Sequence, residues 1–119
     1  MSPRSLKLIP LRGQNDFRNV RRSGRSYVHS LVVLLTCVNR LPISRFGFIA
    51  SKSVGPAVAR NRAKRLLREG VRAVHLHVAV GWDVVLIARP SLVYSAGKYV
   101  NVAVHATLSD ANLMCEENG

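Results

Sequence analysis

The chain lacks several features that would place it in a common class of protein. Only 6 acidic residues stand against 18 Lys and Arg residues, aromatic residues make up 6% of the chain, and there are two cysteines. Because Cys37 and Cys115 form no C-x-x-C pair, the sequence favours neither a metal site nor a disulfide, and we expect reduced thiols. The longest apolar stretches, Val28 to Val38 and Val78 to Ala88, fall short of the roughly 20 residues that a membrane-spanning helix needs. Since the N-terminus also lacks the continuous apolar segment of a signal peptide, we expect a cytoplasmic protein without a membrane partner.

The strongest compositional feature is a formal net charge of +12 over 119 residues. Residues 1–72 hold 16 of the 18 basic residues and only 2 of the 6 acidic ones, so the charge is concentrated in one part of the chain. Fourteen of the basic residues are arginine, whose planar guanidinium can bind phosphate with two hydrogen bonds and stack on bases. The composition therefore predicts a polyanionic partner, and favours a structured nucleic acid over a membrane surface.

Hydrophobic periodicity and turn residues predict the secondary structure. The predicted elements are a helix over Gln14 to Arg22, strands over Tyr27 to Thr36 and Arg45 to Ser51, a central helix from Pro56 to about Val74, a strand over Asp83 to Arg89 and a helix over Ser95 to Leu108. The first strand is long enough to be bent or divided in two. The last helix contains Val100, Val102 and Val104, an alternation that would also suit a strand.

The order of these elements, α-β-β-β-α-β-α if the first strand divides, predicts an α+β two-layer sandwich with a roughly four-stranded sheet. No linker or internal repeat separates domains, so we predict one domain over residues 1–114 and a loose tail over residues 115–119.

The central helix has one apolar face and one basic face. The residues predicted to face the sheet are Ala59, Ala63, Leu66, Leu67, Gly70 and Val74. The residues predicted to face solvent are Asn61, Lys64, Arg65, Arg68 and Arg72, with Arg60 and Arg62 at the margins. Glu69 is the only acidic residue in the helix, and Lys52 lies just ahead of it.

This basic face has an ordinary explanation, because charged residues usually occupy the wet side of a helix. However, like charges at i, i+3 and i, i+4 spacing repel one another, so a helix without a partner would normally intersperse acidic residues. A binding role is therefore the favoured interpretation. For Ser53 and Gly55, a simple strand-to-helix turn explains the residues equally well.

The run from Phe46 to Glu69, with its Arg60-Asn61-Arg62 core followed by Lys64 and Arg65, closely resembles the signature of the bacterial ribonuclease P protein family. Weaker similarity covers roughly residues 8 to 110. The additional matching positions are Leu11, Asp16, Phe17, Val20 and Gly24 upstream, and the run from Asp83 to Pro90 downstream.

The resemblance implies a central helix that follows an uncommon left-handed β-α-β crossover. It also implies a catalytic RNA subunit and precursor tRNA as partners, with Mg²⁺ bound chiefly by the RNA. The residues implied to lie near the catalytic RNA are Lys52, Arg60, Asn61, Arg62, Lys64, Arg65, Arg68 and Arg72. The residues implied to line a cleft for the single-stranded 5′ leader are Phe17, Arg21, Val33 and Leu35. Relatives often have aromatic residues where this chain has Arg21 and Leu35, which removes two stacking platforms.

No catalytic group of a protein nuclease is visible in the sequence. The basic region has only Asp16 and Glu69 as acidic residues, far apart in the chain, and no Ser or Cys is paired with a His and an orienting acid. We therefore expect the RNA to carry the chemistry of tRNA 5′-leader removal. Two other hypotheses are a ribosomal or RNA-chaperone protein of similar fold, and a DNA-binding module with the basic helix in a major groove.

Overall fold

The structure, a computed structural model, describes residues 8–115. Its elements are α1 (Gly13–Ser23), β1 (Arg25–Val28), β2 (Val32–Val38), β3 (Arg45–Ile49), α2 (Ala57–Arg72), β4 (Trp82–Ala88) and α3 (Gly97–Asp110). Three short 3-10 turns, Lys52–Val54, His75–His77 and Pro90–Tyr94, lie between them. The predicted order of elements is confirmed, and α2 begins one residue after Pro56 and ends two residues before Val74.

The four strands form one mixed sheet in the order β1-β2-β4-β3. β1 and β4 both pair antiparallel with β2, whereas β3 pairs parallel with β4. The connection from β3 through α2 to β4 is therefore a β-α-β crossover, as the resemblance implied, and its left-handedness stays a prediction. β4 lies between strands that precede it in the chain, and five of its seven residues are buried.

The long strand predicted over Tyr27 to Thr36 is divided into a β1–β2 hairpin. Its turn contains no glycine or proline, and His29 provides the turn geometry instead. The His29 backbone N–H donates to the Val32 carbonyl at 2.9 Å, and the Leu31 N–H donates to His29 Nδ1 at 3.1 Å. A side chain that satisfies the backbone within a turn replaces the usual turn residues.

α2 and α3 pack on one face of the sheet and form the main hydrophobic core. Val32, Leu34, Val84 and Leu86 of the sheet are fully buried there. The final segment is a helix because its buried residues, Val100, Ala103, Val104, Thr107 and Leu108, follow a helical period. Val102, which would have to be buried beside them for a strand, is 65% exposed. The predicted α+β fold with a four-stranded sheet is confirmed.

α1 lies on the opposite face of the sheet over a smaller apolar cluster. Leu11, Val20 and Val85 are its buried members, and Phe17 and Ile49 pack against them. Gly24 ends the helix where a Cβ would come within 2.6 Å of the Thr36 carbonyl oxygen. The close approach of helix end and strand therefore requires glycine at this position.

The two ends of the chain are described only in part. Residues 1–7 and 116–119 lie outside the described part, so the predicted tail is seen only at Cys115, whose backbone N–H donates to the His77 carbonyl at 2.6 Å. Within residues 8–115, Cys37 and Cys115 are both free thiols. No helix in this part of the chain is long and apolar enough to cross a membrane.

Candidate nucleic-acid interface

The basic face of α2 is present, but only part of it points to solvent. Asn61, Arg62, Arg65 and Arg72 are exposed as predicted, whereas Lys64 and Arg68 are half-buried. The prediction of a stripe that faces solvent throughout is wrong for these two residues, since they lean over the edge strand β3 and the segment that precedes α1.

The buried face of α2 is rotated slightly from the face that the sequence predicts to contact the sheet. Ala63, Leu66, Leu67 and Gly70 are buried as predicted, and Val71 is fully buried although it was not assigned to the core face. Ala59 and Val74 are only half-buried. The buried arc turns towards Val71 because both β3 and the chain around Leu8 cover that flank of the helix.

The cations of α2 form no ion pair with an acidic residue of the described part of the chain. Among residues 8–115, every ion pair involves Arg45 of β3, so the basic residues of α2 form none with a described acid. Glu69, the only acid in the helix, is exposed and takes part in none of these pairs. A helix face with several unpaired cations keeps a strong positive potential that attracts polyanions.

Arg60, at the start of this face, differs from the other basic residues of α2 in the burial of its Nε–H. It is half-buried, and its Nε–H is shielded from solvent without a hydrogen-bond partner among the described residues. A buried donor without an acceptor lowers the stability of the folded state.

The turn before α2 brings Lys52 to the helix start, as predicted. Lys52 is exposed on the Lys52–Val54 turn, and the Gly55 N–H donates to its carbonyl at 3.1 Å. Gly55 has a φ of 142°, which only glycine adopts without strain. This glycine is therefore explained by the turn itself.

A groove runs along the free edge of β3 beneath α2, and we call it the edge groove. It encloses about 510 Å³. Its lining consists of Leu8, Pro10, Leu11, Phe17, Phe46, Gly47, Phe48, Lys64, Arg68 and Arg72. The Arg68 guanidinium carbon lies 5.2 Å from the centre of the Phe48 ring, within the range of a cation–π contact.

A second depression, which we call the helix cleft, lies on the other side of Phe17. It encloses about 630 Å³. Its lining consists of Gly13, Gln14, Phe17, Arg18, Arg21 and Ile49. Val33 and Leu35 are half-buried on the same face of the sheet, and Leu35 belongs to the apolar cluster that contains Phe17. The four predicted cleft residues therefore share the α1 side of the sheet, and Phe17 both packs there and lines the two depressions.

A buried ionic network holds α1 against the sheet beside these depressions. Arg45 donates from Nε and Nη2 to the two carboxylate oxygens of Asp83 at 2.8 and 2.7 Å, and its Nη1 lies 3.3 Å from Asp16 Oδ2. Asn39 also donates to Asp83 at 2.9 Å. The hydrogen bond to Asp83 raises the pKa of Arg45, burial opposes this, and the charges of Asp83 and Asp16 raise it further. Arg45 is therefore cationic at neutral pH.

Gly47 sets the position of Phe17. A Cβ at residue 47 would lie 2.5 Å from the Phe17 ring and 2.9 Å from Leu11 Cδ1. We expect Gly47→Ala to push the ring out of its place and to lower the free energy of unfolding by about 1–3 kcal/mol, as overpacking usually does. Thermal denaturation measures this change. Gly97→Ala is the matched control, because its Cβ would meet nothing closer than 3.9 Å; equal effects of the two substitutions would contradict the packing argument.

Several residues of this region were not predicted from the sequence as site residues. Phe48 and Gly47 were assigned only to a strand, and Arg45 was not singled out. The sequence placed Phe48 in a strand, two residues after Phe46. Only the fold shows that this strand lies at the edge of the sheet, beside the cations of α2. Within residues 8–115, no group of three or more His, Cys, Asp or Glu side chains lies close enough together to hold a metal ion.

An unpaired cationic helix on an α+β sheet, beside two partly apolar depressions, defines a basic protein of the RNA-binding class. The family model described as ribonuclease P matches residues 7–112. The chain is 41% identical over 103 residues to the ribonuclease P protein component of Herpetosiphon aurantiacus, covering 87% of this chain and 84% of that one. It is 49% identical over 76 residues to the protein component of Dehalococcoides mccartyi strain 195, covering 64% of this chain and 62% of the other.

Solved structures show the same relationship. The Staphylococcus aureus RNase P protein matches with a TM-score of 0.82 at 27% identity, covering 91% of this chain and 99% of that one. The RNase P protein of Thermotoga maritima matches with a TM-score of 0.78 at 28% identity, covering 85% and 96%. The chain belongs to the bacterial ribonuclease P protein family, whose members are protein components of a ribonucleoprotein in tRNA processing.

Proposed function

We propose that this protein binds the catalytic RNA subunit of ribonuclease P and the 5′ leader of precursor tRNA, and so assists removal of the leader. The observation that carries the proposal is the set of unneutralised cations on α2, in a chain that belongs to this family. Residues 1–114 would act as one domain in the cytoplasm. The endonucleolytic, hydrolytic step would belong to the RNA, with Mg²⁺ bound chiefly by RNA.

The proposed contact surface for the catalytic RNA is the α2 side of the molecule. Exposed arginines that neutralise phosphates release condensed counterions, and this release favours binding at low salt. Arg60 would contribute its positive charge at the start of this surface. The residues proposed for this surface are Lys52, Arg60, Asn61, Arg62, Lys64, Arg65, Arg68 and Arg72.

The proposed contact surface for the leader is the helix cleft with Phe17 and Arg21, together with Val33 and Leu35, which lie on the same face of the sheet outside the lining of the cleft. Phe17 is the single aromatic side chain in the lining of this cleft. Arg21 is exposed one helical turn after Phe17, so its guanidinium plane could stack on a base in place of a second ring. Single-strand binding there would combine one aromatic platform with the positive charge of Arg18 and Arg21.

The experiment that tests this function is cleavage of a 5′-labelled precursor tRNA by a bacterial ribonuclease P RNA at low Mg²⁺. We expect this protein to raise the cleavage rate only when the RNA is present, because its cations replace part of the charge screening that high Mg²⁺ otherwise supplies. A protein-only reaction and an RNA-only reaction are the controls.

Three outcomes would contradict the proposal. Cleavage by the protein alone would place the chemistry in the protein. No stimulation with a well-matched RNA, together with tight binding to unrelated structured RNAs, would favour a ribosomal or RNA-chaperone function. Preference for duplex DNA over RNA in a competition experiment would favour the DNA-binding hypothesis.

A further inference from the structure

The edge groove has an open backbone edge on one wall. Phe46 of β3 donates its N–H to the Ile9 carbonyl at 2.8 Å and accepts from the Leu11 N–H at 3.1 Å. Because the N–H and C=O groups of a strand alternate sides with a period of two residues, those of Phe48 point the same way as those of Phe46. The chain after Leu11 turns into α1, so the short pairing ends before Phe48. One donor and one acceptor are thereby left at the groove.

The opposite wall of the groove is cationic. Lys64 and Arg68 are half-buried, Arg72 is exposed, and none of the described residues that line the groove is acidic. Partly desolvated cations without an anionic partner carry an electrostatic cost that a bound anion removes. The wall therefore favours an anionic ligand.

Aromatic surface lies next to these cations. The Arg68 guanidinium carbon lies 5.2 Å from the centre of the Phe48 ring, and a planar guanidinium can stack on flat groups. The groove, at about 510 Å³, lies within the range of about 300–1000 Å³ that small-ligand sites occupy. A flat base joined to a phosphate satisfies the shape, the charge and the stacking surface together.

We propose that the edge groove binds one unstacked nucleotide of the catalytic RNA subunit. Its base stacks on the Arg68–Phe48 pair beside the open peptide edge of Phe48, and its phosphates contact Lys64 and Arg72. The RNA subunit is favoured over the leader because all three cations belong to α2, the helix assigned to that subunit. This inference rests on the proposed function and adds a base-binding subsite to it.

The first test is the affinity of the protein for a bacterial ribonuclease P RNA transcript after Phe48→Leu and Phe48→Tyr. We expect Phe48→Leu to weaken binding between about five- and a hundredfold, the range for loss of one stacked base. The salt dependence of binding should stay unchanged, because no cation is removed. Phe48→Tyr keeps the ring and should bind within about twofold of the unmodified protein. Equal affinities of the Leu and Tyr variants would overturn the proposal.

A second measurement remains informative if Phe48→Leu fails to fold. The chain has one tryptophan, Trp82, so the double variant Trp82→Phe/Phe48→Trp carries a single fluorescent reporter in the groove. We expect the RNA transcript to quench its emission by stacking. No quenching on RNA binding would overturn the proposal. Quenching that appears only when precursor tRNA, and not mature tRNA, joins the protein–RNA complex would assign the groove to the leader and would also overturn it.

Failure of this inference can be separated from failure of the proposed function. If the unmodified protein binds the RNA and stimulates precursor cleavage while the Phe48 experiments show no effect, only the groove assignment fails. If the unmodified protein neither binds nor stimulates, the proposed function itself fails. Arg40→Gln, which removes an exposed charge outside both depressions, is the control for general effects of substitution.

Discussion

Replacing Asp83 with alanine is expected to lower the free energy of unfolding by about 3 kcal/mol. The Asp83 side chain is 5% exposed and accepts two hydrogen bonds from Arg45, so its removal leaves a largely buried guanidinium without its main partner. Breaking a buried pair in this way typically costs about 3–5 kcal/mol. We expect the lower end because Asp16 remains 3.3 Å from Arg45. Equilibrium denaturation by urea measures the change.

The matched control for this prediction is Asp16→Ala. Its side chain is 27% exposed and forms the longer of the two pairs, so we expect a loss of at most about 1 kcal/mol. Asp16→Ala removes the ion pair between α1 and β3, whereas Asp83→Ala removes the pair between β3 and β4. A loss below about 1 kcal/mol for Asp83→Ala would mean that the network contributes little to stability.

The double substitution Arg62→Gln/Arg65→Gln is expected to weaken binding of ribonuclease P RNA by roughly a hundredfold. Both side chains are exposed on α2 and line neither depression. Two charge-assisted contacts at about 1.5 kcal/mol each correspond to about 3 kcal/mol, or a factor of about 100 in affinity. The slope of log affinity against log salt concentration should fall by about 1.5, since each lost phosphate contact removes about 0.7–0.9.

Filter binding over a series of salt concentrations measures both quantities. The control is Arg40→Gln/Arg89→Gln, which removes the same charge from exposed positions outside α2 and should change the slope by less than about 0.5. Glutamine keeps the polar character and the helix propensity at positions 62 and 65, so the fold should be unaffected. An unchanged slope in the α2 variant would remove the phosphate contacts of Arg62 and Arg65 from the proposal.

Much of the α2 surface could be predicted from the sequence because it depends on local periodicity. A helix of known phase places Arg62 and Arg65 outside and Leu66 and Leu67 inside, whatever the rest of the fold does. The half-buried state of Lys64 and Arg68 could not be predicted in this way. It depends on residues 8–11 crossing the edge of β3, more than 50 positions away in the chain.

The length of the segment indicated that the first strand could divide into β1 and β2, but not where the division would lie. The hairpin turn is formed by His29, Ser30 and Leu31, which carry none of the glycine, proline or asparagine signals of a turn. Similarly, the position of β4 between β2 and β3 follows from long-range pairing, such as Leu34 with Leu86, which periodicity does not encode. The resemblance to a family, rather than the pattern itself, supplied the crossover.

β4 follows the basic region in the chain, so the positive charge and the strand that joins β2 to β3 lie in different segments. Residues 1–72 carry nearly all of the positive charge, yet the strand on which β2 and β3 both depend is formed by Trp82–Ala88. When the ribosome has synthesised only residues 1–72, the nascent chain is a polycation that still lacks β4, the strand that pairs with both β2 and β3. We therefore expect substitutions at Val84 or Leu86 to reduce RNA binding in a genetic screen because they lower the amount of folded protein. Both side chains are fully buried and contact no ligand.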